Sequence, residues 1–294
     1  MVDLAIVNPD RSAAACAAVG ARKLVFTAYE GVLDSHRWVT CFRPPGSDQI
    51  SFGEPYRAGG SGVPKSEALA RLTAEAHASG VEFHPYSLAG VAGVWSGSRR
   101  EQPRSIQPVG RIPQFAVDNP QFMSRAHDGR SWLEWDVGEQ VLGYDVGYLG
   151  MSFPEVRAHA RAEFVAFARD FGADGVQIEL LPVLNASETV WPLGYDEPAL
   201  TACRERHGVD PRSLPADDPD WARLRAEYVT QFFRELRADL DTLGRHVEVS
   251  VATEGIWARP DKAYMLGLDW PTWVDEGLID ALHPRFWIID PHYP

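Results

Sequence analysis

Short β-branched runs alternate with amphipathic stretches along this chain. That pattern predicts a parallel sheet whose strands are joined by helices. A first run at residues 4–7 leads into a short Ala-rich helix at about 12–18, with Gly20 near its end. A second strand follows at 23–29. Pro64 opens the next helix and Gly80 closes it, the expected asymmetry of helix ends. A third strand follows at 81–87. From Pro154, the residues Val156, Ala160, Phe164, Phe167 and Phe171 recur at helical spacing and make one apolar stripe. The fourth strand is 174–180. Asp220 reads as the N-cap of a long helix carrying Trp221, Leu224, Tyr228, Phe232, Leu236, Leu240 and Leu243. Strands at 247–254 and 279–287 complete a set of six.

Two intervals break the rhythm. Residues 31–63 read as a polar loop rich in Gly and Pro. Residues 88–150 have no clean period, hold Trp95, Trp132 and Trp135, and contain one stretch that could form a hairpin. They are too long for a plain loop and read as a large insertion on the catalytic face. The fold class expected is α/β, of the (β/α)8 TIM-barrel type, as a single domain spanning 1–294. A closed barrel of that type has eight strands. Six strands make this one incomplete, a fragment or a shortened variant.

Alternation along the strands assigns their faces. Val247, Val249 and Val251 face the helices, and Glu248, Ser250, Ala252 and Glu254 face the barrel axis. By the same rule Glu82, His84 and Tyr86 point inward, as do Gln177 and Glu179. His283, Arg285 and Trp287 share a face; so do Thr27 and Tyr29, with Glu30 just beyond. One end of the barrel is therefore expected to gather Tyr29, His84, Tyr86, Glu179, Glu254, His283 and Arg285. Ionisable groups in one concave mouth are costly to bury unless paired, so such a cluster is a site candidate.

Bulk properties narrow the ligand. The 294 residues carry a net charge of −13, which argues against a nucleic-acid backbone as partner. Cys16, Cys41 and Cys203 are odd in number and far apart, so neither a disulfide framework nor a metal motif is expected. No apolar run is long enough to span a membrane. The N-terminus lacks the features of a signal peptide. As written the chain reads as cytoplasmic, and as secreted only if a leader has been removed. Metal and cofactor motifs are absent: His283 and His292 lie near Asp290, but no H-E-x-x-H, phosphate loop or G-x-S-x-G elbow occurs.

Four stretches resemble the glycosyl hydrolase-like family 10 proteins, which are (β/α)8 barrels. They are Ala74-Glu-Ala-His77 through Gly80-Val-Glu-Phe-His84, Phe153-Pro-Glu-Val-Arg157, Asp174-Gly-Val-Gln-Ile-Glu179, and Leu268-Asp-Trp-Pro-Thr-Trp273 through Gly277-Leu-Ile-Asp280. Order and spacing match over roughly 23–290. The resemblance implies a carbohydrate-active protein with a glycan as partner. It also shows departures. Members often have a pair of acids after the fourth strand, where this chain has Glu179 followed by Leu180 and Leu181. The last two strands have no counterpart before Pro294.

Glycoside hydrolysis uses two carboxyl groups flanking the scissile bond. Glu179 is the expected general acid and Glu254 the best partner on this chain, with Glu30 a third candidate. Trp135, Trp191, Trp257 and Trp287 fall in loops or at strand ends, where a sugar face could stack, whereas Trp221, Trp270 and Trp273 sit at helical positions suited to packing. Tyr29, Glu30, His84, Tyr86, His283 and Arg285 complete the expected binding set. Two other readings compete: a non-catalytic glycan-binding barrel that has lost its second carboxylate, and a barrel lyase or isomerase using His84 and Glu179. The oligomeric state is not encoded in any of these patterns.

Overall fold

The computed structural model describes residues 9–28, 36–42, 51–55, 65–95, 109–131, 146–180, 193–215, 217–254 and 263–285. In chain order these form α1 (Pro9–Ala18), β1 (Lys23–Thr27), β2 (Trp38–Phe42), β3 (Ser51–Pro55), α2 (Lys65–Ala78), β4 (Glu82–Leu88), β5 (Val91–Trp95) and β6 (Val109–Pro113). They continue with α3 (Gln114–Asp118), β7 (Val146–Tyr148), α4 (Pro154–Arg169), β8 (Gly175–Glu179), α5 (Glu197–His207), α6 (Pro219–Asp241), β9 (Glu248–Glu254), α7 (Trp270–Asp275) and β10 (Ala281–Arg285).

Five strands make a parallel sheet in the order β1-β4-β8-β9-β10, each joined to the next through helical segments. This is part of an α/β barrel wall, and five of the six strands expected from the pattern are in it. The sixth, at residues 4–7, lies outside the described residues. The outer face of the sheet is apolar as alternation requires. Phe83, Val176, Ile178, Val249 and Val251 are wholly buried in one cluster with Leu72 and Ala76 of α2, Phe164 and Phe167 of α4, and Phe232, Phe233 and Leu236 of α6. Burying a side chain of this size is worth about 1.5–3 kcal/mol. These residues therefore hold the helices to the sheet.

The irregular intervals hold a second sheet. Its five antiparallel strands run β3-β2-β6-β5-β7. The stretch expected as a loop at 31–63 supplies β2 and β3, and the insertion at 88–150 supplies β5, β6 and β7. Ser-Phe-Gly-Glu-Pro, Val-Ala-Gly-Val-Trp and Val-Gly-Arg-Ile-Pro are five-residue strands containing Gly or Pro, which mask the period of two. Val39, Cys41, Ala92, Ile112 and Leu149 of this region pack with Val156 of α4. The same helix thus serves both cores.

Helix ends follow local chemistry. Gly80 sits at φ +69 just past α2, a left-handed conformation in which glycine carries no Cβ penalty. The long helix α6 is capped by Asp218 rather than Asp220: the Asp218 side chain accepts from the backbone N–H of Asp220 and Trp221, and Pro219 occupies the first turn. Helix α5, absent from the sequence reading, is short, polar on average and ends at Gly208. Cys16, Cys41 and Cys203 are free thiols. Among the described residues no helix is long and apolar enough to cross a membrane.

Register in the parallel sheet is set by two aspartates in equivalent positions. Asp174 immediately precedes β8. Its backbone N–H donates to the Phe83 carbonyl at 3.0 Å, and its carboxylate accepts the Phe83 N–H at 2.8 Å. Asp280 immediately precedes β10 and brackets Val249 in the same way, with both bonds at 2.8 Å. Each carboxylate also meets a basic side chain: His77 at 2.8 Å for Asp174, and Arg237 at 2.8 Å for Asp280. These contacts hold both carboxyls below the usual range, against the opposing effect of burial. A hydrogen bond to a charged acceptor contributes about 1.5–3 kcal/mol, and partial exposure puts these near the lower end. Asp174→Ala and Asp280→Ala are each expected to lower unfolding free energy in urea by about 2 kcal/mol, and the Asn variants by less. Wild-type stability in both Ala variants would show that the brackets do not set the register.

Candidate active site

The sheet's pairing arranges its inner residues in rungs. One rung is Thr27, Tyr86, Gln177, Ser250 and Ala281. The next, toward the C-terminal ends of the strands, is Leu88, Glu179, Ala252 and His283. Above it the backbones of Glu254 and Arg285 pair. Gln177 is wholly buried, and its Oε1 lies 3.2 Å from Nδ1 of the half-buried His283, which donates in the tautomer that bond requires. Burial lowers the His283 pKa, so the ring is neutral at pH 7. Tyr86 is buried on the same rung as Gln177.

Glu179 is the last residue of β8 and only 2% exposed. Its carbonyl accepts the Ala89 N–H at 3.1 Å, so β4 and β8 stay paired to the point where the side chain emerges. Its register neighbours are Leu88 and Ala252, an aliphatic and a small side chain. A carboxyl at the C-terminal end of a parallel strand is placed where barrel folds carry chemistry.

His84 belongs to the other pole. It lies four residues before Leu88 on β4, which at about 3.3 Å per residue is some 13 Å along the strand from the Glu179 rung. Its company is Glu82, with Nε2 to Oε2 at 3.4 Å, together with Lys23 and Glu248. Burial lowers its pKa, against the opposing pull of Glu248. Alternation put His84 on the correct face; which end of the face it occupies depends on register, which the alternation does not contain.

Of the other residues singled out in the sequence, Tyr29, Glu30, Trp135, Trp191, Trp257 and Trp287 lie outside the described residues. For Glu254 and Arg285 the backbone alone is described. Trp221 and Trp273 are wholly buried packing residues, and Trp273 Nε1 donates to Thr230 at 2.8 Å.

On the helix side of the same sheet end lies a cleft of about 710 Å³, counting its solvent-open part. Leu180, Tyr148, Ser152, Asp196, Arg225 and Tyr228 are among the residues lining it. Asp196 accepts the Arg125 N–H at 2.9 Å and the Ser152 hydroxyl at 3.3 Å. Arg225 is pulled down to about 10 by burial, still protonated at neutral pH, and its Nη1 donates to the Leu193 carbonyl at 2.9 Å. Sequence reasoning missed this pair. Their segments are far apart, and the one cue was Asp196 just ahead of a helix.

The family model for glycosyl hydrolase-like 10 matches residues 61–289, most of the chain. The chain belongs to the glycosyl hydrolase-like 10 family. No curated protein matches it. Among solved structures it is similar to the β-galactosidase of the psychrophilic Marinomonas ef1, at 13% identity and a TM-score of 0.53, over 97% of this chain and 40% of that one. The α-galactosidase of Thermus thermophilus is similar at 13% identity and a TM-score of 0.44, over 94% and 38% of the two chains. A noncanonic maltogenic α-amylase from Thermotoga neapolitana matches at 10% identity and a TM-score of 0.44, over 94% and 43%. The chain thus spans about two fifths of the length of these proteins. At such identity the likeness to the β-galactosidase concerns fold.

In this glycosyl hydrolase-like 10 chain the motif stretches divide by role. Asp174 and Asp280 work in the strand brackets, and Phe153-Pro154 opens α4, while Glu179 stands at the C-terminal end of β8.

Asp196 gives a pH test of the cleft. Burial pushes its pKa up to about 6 from an ordinary value of 3.8. The folded state therefore holds that proton more tightly than the unfolded state. The stabilisation is complete below pH 4 and is lost as pH rises through 6, on the order of 3 kcal/mol in all. Urea unfolding of wild type and Asp196→Asn at pH 4 to 7 should show the wild type losing stability relative to the variant across that window. Parallel curves would contradict a buried, proton-holding Asp196.

Proposed function

We propose that this chain is the barrel portion of a glycoside hydrolase acting on a polysaccharide or oligosaccharide. Glu179 serves as the general acid, and a second carboxylate completes the pair. The observation that carries the reading is the position of Glu179: buried, at the C-terminal end of a central parallel strand, in a chain of the glycosyl hydrolase-like 10 family. Both sheets are taken as one domain, because α4 packs into both cores.

In this mechanism Glu179, as the general acid, delivers a proton to the glycosidic oxygen. Glu254, at the end of the adjacent β9 and two residues beyond the rung partner of Glu179, is the partner this chain offers. Tyr86 and Gln177 on the rung beneath, with His283 on the rung of Glu179 itself, form a polar surface able to orient sugar hydroxyls. Tyr29, Glu30, Arg285 and Trp135, Trp191, Trp257 and Trp287 are the further residues proposed to contact a sugar. His84, at the opposite pole, is proposed to support the wall.

A glycan-binding barrel without turnover is the second reading. It is favoured by Leu180: family members often carry a second acid after this strand, whereas Leu180 is 8% exposed and lies in the main apolar cluster.

The test is reducing-end release from a panel of polysaccharides. Wild type is expected to release sugar, and Glu179→Gln to lose at least 10²-fold in rate, the range of one general acid, with its melting temperature unchanged. Turnover in Glu179→Gln at the wild-type rate would exclude Glu179. Binding without release by the wild type would establish the second reading.

A further inference from the structure

We propose that the N-terminal pole of the parallel sheet is a structural divalent-cation site, with Glu82, His84 and Glu248 as protein ligands and zinc as the ion. The ligand atoms of these three side chains lie within 4.8 Å of one another. Two come from β4 and one from β9, the strands on either side of β8. An ion held there would tie two strands together across a third.

The donor atoms are prepared for a ligand. His84 is 1% exposed, and its Nε2, buried and aimed at the carboxylate of Glu82, has no hydrogen-bond partner; the 3.4 Å contact lacks hydrogen-bond geometry. Glu248 Oε1 is likewise buried without a hydrogen-bond partner, while Oε2 of the same carboxylate pairs with Lys23. Buried polar atoms left unpaired are uncommon in native proteins and call for an occupant. The His84 ring is seated by Gly175, where a Cβ would stand 2.4 Å from Cε1 and 2.5 Å from Nδ1. Glycine at this point of β8 is what admits an imidazole to the pole.

The ligand set selects the ion. One imidazole nitrogen and two carboxylate oxygens suit zinc, which binds such atoms at about 2.0–2.2 Å. Magnesium prefers an octahedral oxygen shell. Tetrahedral zinc bonds of that length set ligand atoms about 3.4 Å apart, so closing from separations of up to 4.8 Å requires a side-chain movement, and the Glu82 side chain, 52% exposed, is free to make it. Lys23 is the built-in competitor. Its ammonium bonds Glu248 and lies 4.0 Å from Glu82 Oε2, so it neutralises the pocket and must swing aside when an ion enters. Its side chain is 40% exposed, which leaves it room to do so.

The experiment is calorimetric titration of the EDTA-treated chain with zinc chloride, alongside melting curves with and without zinc. One zinc per chain is expected, with a rise in melting temperature that grows with zinc concentration. Glu82→Gln, an exposed change with little risk to folding, should weaken binding at least tenfold and abolish the thermal shift. Glu248→Gln should do the same, and Lys23→Met should tighten binding. No uptake by the wild type would overturn the proposal. So would undiminished zinc affinity in folded Glu82→Gln and Glu248→Gln.

Discussion

Strand register, held by Asp174 and Asp280, is the constraint on which the rest of the molecule depends. Each aspartate reaches back to the neighbouring strand and binds both polar groups of one residue, Phe83 or Val249. A slip of one residue would turn every side chain of β8 or β10 to the opposite face. Glu179 and Gln177 would then face the helices, and Val176 and Ile178 would lose the cluster they share with α4 and α6. The apolar and polar halves of the design thus stand on the same bonds. The aspartates sit at the strand starts, at the end of the sheet opposite Glu179, and the basic partners His77 and Arg237 help to hold their carboxyls below the usual range.

With register fixed, the inner face divides into layers of different character. Lys23, Glu82, His84 and Glu248 form a charged layer at the N-terminal pole. Thr27, Tyr86, Gln177 and Ser250 are neutral and polar in the middle. Glu179 and His283 stand toward the C-terminal pole, with Leu88 and Ala252 between and beside them. The charges at the lower pole can neutralise one another. Glu179 stands on the rung nearest the C-terminal ends of the strands, beside Leu88 and Ala252.

The sequence revealed the parallel strands because each is flanked by helices with clear apolar stripes, and because Val and Ile alternate with polar residues in β8 and β9. It revealed the facing of Glu179, Gln177 and His84 for the same reason. It did not reveal their heights, since period-two alternation says nothing about which rung a residue joins. That is why His84 was grouped with Glu179 although some 13 Å of strand separates them. The antiparallel sheet was hidden because its strands are short and interrupted by Gly and Pro. Asp196 and Arg225 were hidden because only tertiary packing brings them to one cleft. The Asp218 cap was displaced by two residues because Asp218, Pro219 and Asp220 all carry start signals, and only the cap geometry separates them.

The central claim is that Glu179 meets the glycosidic bond at the C-terminal end of β8. The most direct measurement is a crystal structure of the Glu179→Gln protein with an intact oligosaccharide bound. The account predicts a glycosidic oxygen within about 3 Å of the residue 179 amide, the reach of a proton-donating group, with the sugar resting over Tyr86 and His283. An oligosaccharide bound elsewhere, with the residue 179 side chain sealed from it by the wall, would contradict it.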